Sequence, residues 1–166
     1  MSKIIFATLL FFAALSMVAC GGGNYEPELP TQEESTKPSE GNNEETKESM
    51  KVNIIIGDRT ITATMEDSAA GRDFLSRLPL EVTLEDFNNT TEKIFYPTPA
   101  LDTDGVERGC APVPGDITIY APWNNIAIFC KNWSHSNDLI KIGHIDGEGI
   151  NALTSGGDIK VKFERH

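Results

Sequence analysis

The chain has 166 residues, with 25 acidic against 14 basic side chains and a formal net charge of −11 at pH 7. That balance excludes nucleic acid and anionic lipid as main electrostatic partners, because both are recognised through clustered cations. Three cysteines and three histidines, in no spacing that resembles a zinc or calcium motif, lead us to expect no metal and no cofactor.

At the start, Met1-Ser2-Lys3 supplies one positive charge, Ile4 to Met17 is almost wholly apolar, and Val18-Ala19-Cys20 closes the run. A basic start, a short apolar stretch and a small-residue cleavage site make a secretory signal. The run is shorter than the roughly 18–20 residues that cross a bilayer as a helix. Its ending resembles the lipobox of bacterial lipoproteins, with Met17 where leucine is usual. The resemblance implies that the Cys20 thiol is lipidated and becomes the new N-terminus. It also implies residence in the bacterial cell envelope, anchored to a membrane by lipid with the globular part outside the cytoplasm. An ordinary secreted protein with an incidental Cys20 is the alternative.

Residues 21–50 change character. Gly, Pro, Ser, Thr, Asn and Glu dominate, and eight Glu stand against two Lys. Such a segment cannot bury enough apolar surface to offset its ordering entropy, so it is expected to be a disordered, self-repelling tether. The remaining 116 residues, 51–166, suffice for one domain with a single core. They carry 17 acidic and 11 basic side chains.

Within this domain, Val52–Ile56 and Thr60–Met65 are β-branched runs joined by Gly57-Asp58-Arg59, a hairpin signal. Asp67 or Ser68 caps a helix beginning at Ala69, with Phe74, Leu75 and Leu78 at helical spacing and Pro79 as its stop. Leu80–Leu84 alternates, Lys93–Tyr96 follows a polar turn, and Pro97–Pro114 reads as a long irregular loop. Asp116–Tyr120 and Asn125–Cys130 are the clearest strands, divided by Ala121-Pro122-Trp123-Asn124. Leu139–Ile145 alternates, Glu148–Leu153 holds a helical turn or two, and Asp158–Phe163 closes the domain. Eight short strands with one or two short helices predict a mainly β fold, a closed eight-stranded antiparallel barrel, with a sandwich as runner-up. Cys110 and Cys130 could form a disulfide in an exported domain, or Cys130 could serve as a small core hydrophobe.

The domain resembles the cyclophilin-like domain of bacterial proteins of uncharacterised activity, from about Lys51 to Arg165. The residues carrying the resemblance are Ile54-Ile55-Ile56-Gly57, Phe74-Leu75-Ser76-Arg77-Leu78-Pro79 and Pro114-Gly115-Asp116-Ile117. Ile126-Ala127-Ile128-Phe129 and Ile142-Gly143-His144-Ile145 complete it. The resemblance implies an eight-stranded barrel plugged by helices and leaves activity open. A prolyl isomerase needs an apolar pocket and a fixed cationic donor to act against an amide rotation barrier of roughly 18–20 kcal/mol. True cyclophilins supply the donor from a Phe-His-Arg-Val strand followed by Phe-x-x-Gln. Neither is present here, and Lys93-Ile94-Phe95-Tyr96-Pro97 has no arginine. Arg108, in the long loop, is the remaining candidate donor.

Ser134, His135 and Asp138 have triad residue types, but sequence neighbours rarely converge in triad geometry, and a polar turn is the simpler reading. His144, within an alternating strand, reads as structural. Tyr96, Trp123, Trp133 and His135 fall at strand ends or in adjoining loops, where binding residues gather, and are expected to line one shared groove. The sequence thus points to a membrane-tethered, non-catalytic module that binds a peptide or small ligand. A divergent peptidyl-prolyl isomerase acting on exported proteins is the alternative.

Overall fold

The computed structural model describes residues 47–166; the expected signal segment, Cys20 and the expected acidic tether up to position 46 lie outside the described residues. Eight strands follow in chain order: β1 (Lys51–Ile56), β2 (Arg59–Met65), β3 (Leu80–Phe87), β4 (Glu92–Phe95), β5 (Asp116–Tyr120), β6 (Asn125–Phe129), β7 (Leu139–Ile145) and β8 (Ile159–Arg165). One helix, α1 (Ala69–Ser76), joins β2 to β3, and a 3-10 turn (Gly149–Ala152) lies between β7 and β8. The strands pair in the order β1-β2-β7-β5-β6-β4-β3-β8, and β8 returns to β1. Every pairing is antiparallel. The chain therefore forms the closed eight-stranded barrel rather than a sandwich, and closure leaves no strand edge unpaired.

The alternation of β-branched residues sets which side of the wall each side chain takes. Val52 and Ile54, Ile117 and Ile119, Ile126 and Ile128, and Val161 and Phe163 share one interior core. Helix α1 contributes Ala70, Phe74 and Leu75 to it, with the Phe74 ring edge-on to Phe163 at 5.4 Å. The Ser68 hydroxyl accepts the Gly71 N–H at 3.1 Å and so caps the helix. The described residues begin four positions ahead of β1. Residues 47–49 are helical, and Met50 joins the interior core while its carbonyl accepts the Met65 N–H at 2.9 Å, extending the β1–β2 ladder.

One sector of the wall is covered on both sides. On the outer face of β4, β6 and β7, Ile94, Ala127, Phe129 and Leu139 form a second apolar cluster, with Cys110 and Tyr120 packed against it. This explains why β6 is buried along its whole length. The same division settles the two cysteines. Cys130 belongs to the interior core and Cys110 to the outer cluster, so the wall separates them and both thiols are free. Burial pushes both thiols above the ordinary cysteine range. Among the described residues no helix is long and apolar enough to cross a membrane.

Candidate functional site

The outer cluster is the floor of a cavity of about 280 Å³. Ile94 on β4, Phe129 on β6 and Leu139 on β7 form the apolar base. Strand register sets the polar groups beside them. Glu92 lies opposite Phe129 on one side and Phe87 on the other, and Asn125 lies opposite Tyr120. Odd-numbered outward positions on β6 thus bring Asn125 and Phe129 to the same face.

Four aromatic side chains frame this floor: Phe87, Tyr120, Trp123 and Trp133. Trp123 sits in the four-residue β5–β6 hairpin, where the Trp123 and Asn124 N–H groups both donate to the Tyr120 carbonyl. Asn124 takes the left-handed conformation (φ 54) that closes such a loop at low cost for an asparagine. The Trp123 ring then stands edge-on to Tyr120 at 5.4 Å and to Phe87 at 5.9 Å. Trp133 is held from the other side, its N–H donating to the Pro112 carbonyl at 3.0 Å. A single bridge between Cys110 and Ser136 ties this loop to the long one. Both tryptophans remain about half exposed, at 51% and 47%, although their backbones are pinned.

The polar groups of the cavity are short of partners. Asn125 is only 2% exposed, yet its Oδ1 has no hydrogen-bond partner, and its Nδ2 reaches the Ile126 carbonyl only at 3.5 Å. Glu92 is half-buried, and burial raises its carboxyl above the usual glutamate range with no opposing hydrogen bond or cation. A buried acceptor left unpaired costs about 1–3 kcal/mol. Asp138 stands exposed at the rim. None of the described residues lining the cavity is basic.

The four expected binding residues divide. Trp123 and Trp133 line this cavity together. Tyr96 lies in a separate groove with Arg77, Pro97 and Pro99, and the shared-groove expectation does not extend to it. His135 is also elsewhere: its ring packs over Gly109, where an added Cβ would meet Nε2 at 3.2 Å. Sequence reasoning did not single out Phe87, Glu92, Asn125 or Phe129. The available signal was β6 itself, whose Asn-Ile-Ala-Ile-Phe is nearly apolar on both faces and so demands an outer covering.

Other candidates resolve simply. Arg108 is exposed and lines neither the cavity nor any groove described here. The Ser136 hydroxyl accepts the Asp138 N–H at 3.2 Å, consistent with a polar turn. His144 Nδ1 lies 2.8 Å from Asp116 Oδ1, and Lys141 Nζ lies 2.7 Å from the same oxygen. Burial alone would raise the Asp116 carboxyl, but Lys141, the Val113 N–H and His144 together hold it below the usual range. Gly115, at φ +97, gives His144 its place, since an added Cβ would stand 2.9 Å from the ring.

Residues 54–164 match the model of the cyclophilin-like family. No curated protein matches the sequence. Among solved structures, the chain is similar to a hypothetical protein from Archaeoglobus fulgidus determined in solution. The TM-score is 0.55 at 16% identity, over 71% of this chain and 95% of the other. At that identity the likeness concerns the fold alone.

Proposed function

Because the chain belongs to the cyclophilin-like family, whose barrel does not by itself dictate an activity, we propose that it is a non-catalytic binding module. Its ligand, a peptide or small molecule, occupies the cavity framed by Trp123 and Trp133. The lipobox-like ending at Cys20 supports a lipid tether to a membrane of the bacterial envelope. The observation that carries the binding reading is an aromatic-walled cavity that holds the buried, unpartnered Asn125 Oδ1 beside the half-buried Glu92 carboxylate. Prolyl isomerisation calls for a fixed cationic donor, and the cavity lining offers carboxylates instead.

The chain's two tryptophans both line the cavity, so intrinsic fluorescence reports on it directly. Titration of the full chain with a pool of tryptophan-free hexapeptides is expected to give a saturable emission change. Trp123→Ala, read through Trp133, should weaken it by roughly 10-fold or more, the scale of an aromatic anchor. A protease-coupled cis-proline peptide assay should show no rate above background. Turnover there would overturn the non-catalytic reading, and a flat titration would overturn the binding one. For the tether, labelled palmitate should be incorporated by the full chain and not by Cys20→Ala.

A further inference from the structure

We propose that this cavity selects an N–H-bearing organic cation, an alkylammonium or guanidinium head on an apolar stem, with Glu92 as its counter-ion. The inference rests on the binding reading above and adds what the site chooses.

Three features converge. The first is charge: Glu92 and Asp138 line the cavity, with no lysine, arginine or histidine among the described lining residues. An anionic ligand would be repelled. A neutral apolar one would leave Glu92 desolvated and unpaired. The second is hydrogen-bond polarity. The buried, unpartnered Asn125 Oδ1 and the half-buried Glu92 carboxylate are both acceptors, so a ligand that pairs with them must bring donors. The third is the frame. Phe87, Tyr120, Trp123 and Trp133 present aromatic rings, and a cation over such a face gains roughly 0.5–2 kcal/mol, most at tryptophan. The floor of Ile94, Phe129 and Leu139 suits the methylene stem of such a group.

The chain's own cations next to these elements are engaged elsewhere. Lys93, adjacent to Glu92, points to the opposite side of the wall and donates to the Ser155 and Gly157 carbonyls at 2.8 and 2.7 Å. Lys131, two residues after Phe129, donates to the Asn89 carbonyl at 2.6 Å. Neither lysine therefore serves as a counter-ion to Glu92. A volume near 280 Å³ accommodates a group the size of a lysine or arginine side chain or a short free amine.

The test uses matched probes on the full chain, read by tryptophan fluorescence. Acetyl-Gly-Lys-Gly-amide is compared with acetyl-Gly-norleucine-Gly-amide, which keeps the aliphatic stem and drops the ammonium. Free n-butylammonium forms the third arm. The lysine peptide should bind at least fivefold more tightly than the norleucine peptide. Glu92→Gln should abolish that preference by weakening the lysine peptide, and Asp138→Asn should reduce it less. Near-ultraviolet circular dichroism of each variant checks folding. Butylammonium binding as well as the lysine peptide would support the cation chemistry and assign it to free amines; much weaker binding would assign it to a peptide side chain. Equal affinity of the lysine and norleucine peptides would overturn cation selection and leave the binding reading standing. No response to either peptide, to butylammonium or to the hexapeptide pool would overturn both.

Discussion

Glu92 and Lys93 are neighbours on β4, carry opposite charge and point to opposite sides of the barrel wall, and their surroundings differ sharply. Lys93 is fully buried on the interior side, where two carbonyls accept from its ammonium and Asp86 Oδ1 lies 3.3 Å away as an ion pair. That Asp86 contact fails hydrogen-bond geometry, so the attraction is ionic rather than directional. Asp86 is steadied in turn by the Gly157 N–H and the Thr90 hydroxyl. Glu92, on the outer side, is half-buried among aromatic rings and meets neither a donor nor a cation. A charge whose partners come from its own chain is a structural fixture. One left desolvated and unpaired weakens the fold and gains a reason only when a ligand supplies what is missing.

The largest expected effect lies on the interior side. Lys93→Met keeps the stem and removes the ammonium, leaving the Ser155 and Gly157 carbonyls without their shared donor and Asp86 without its counter-ion. We expect a loss on the order of 3 kcal/mol in urea unfolding. The emission of Trp123 and Trp133 in the folded state should stay unchanged, because the wall separates them from Lys93. Unaltered stability would break the comparison by showing that the interior charge is as dispensable as the outer one.

This contrast also marks how far the sequence alone could be read. The barrel was legible because β-branched alternation in runs such as Thr60–Met65 and Leu139–Ile145 ties a strand to its faces, and because Ser68 and Pro79 bracket one helix. The site was legible only in its tryptophans, which a loop position and an aromatic ring single out. Glu92 and Lys93 were not legible. On β4 the sequence Glu-Lys-Ile-Phe places one charge and one large apolar group on each face, so period-2 alternation gives no sign of which side is the core. Asn125 was equally silent, since its lack of a partner arises only once the fold buries it beside Tyr120 and Ile126. Tyr96 and His135 show the converse: both flank strands of the site, yet Tyr96 lines a separate groove and His135 packs over Gly109.

Asp116 offers a control of intermediate size. It too is an outward-facing carboxylate, 3% exposed as a residue, but Lys141, His144 and the Val113 N–H satisfy it. Asp116→Asn should cost about 2 kcal/mol, the range for a hydrogen-bonded charge. Its folded carboxyl is depressed below the ordinary value of 3.8, so the unfolded chain takes up a proton first as pH falls. The stabilisation is therefore fully present above that value and disappears as pH drops through the folded one. Wild type and Asp116→Asn should converge in thermal midpoint only in strong acid. A variant as stable as wild type at pH 7 would show that satisfied outer charges contribute no more than unsatisfied ones.

Glu92→Gln has the smallest expected effect on stability and the opposite sign. Burial raises the folded carboxyl above its ordinary value of 4.5, so the folded protein holds this proton more tightly than the unfolded chain does. Above the raised value both states are ionised, and the fold carries the full cost of a desolvated carboxylate. As pH falls through the raised value toward 4.5, that cost fades. Replacement by neutral glutamine removes it, so Glu92→Gln should melt slightly higher than wild type near pH 7 and match it near pH 4. Such a gain is the signature of a residue kept for binding at the expense of stability. Saturating lysine peptide should then reverse the order at pH 7, since a ligand that pairs with Glu92 stabilises the wild type preferentially. A variant that melts lower than wild type at pH 7 would mean that Glu92 already has its partner within the fold.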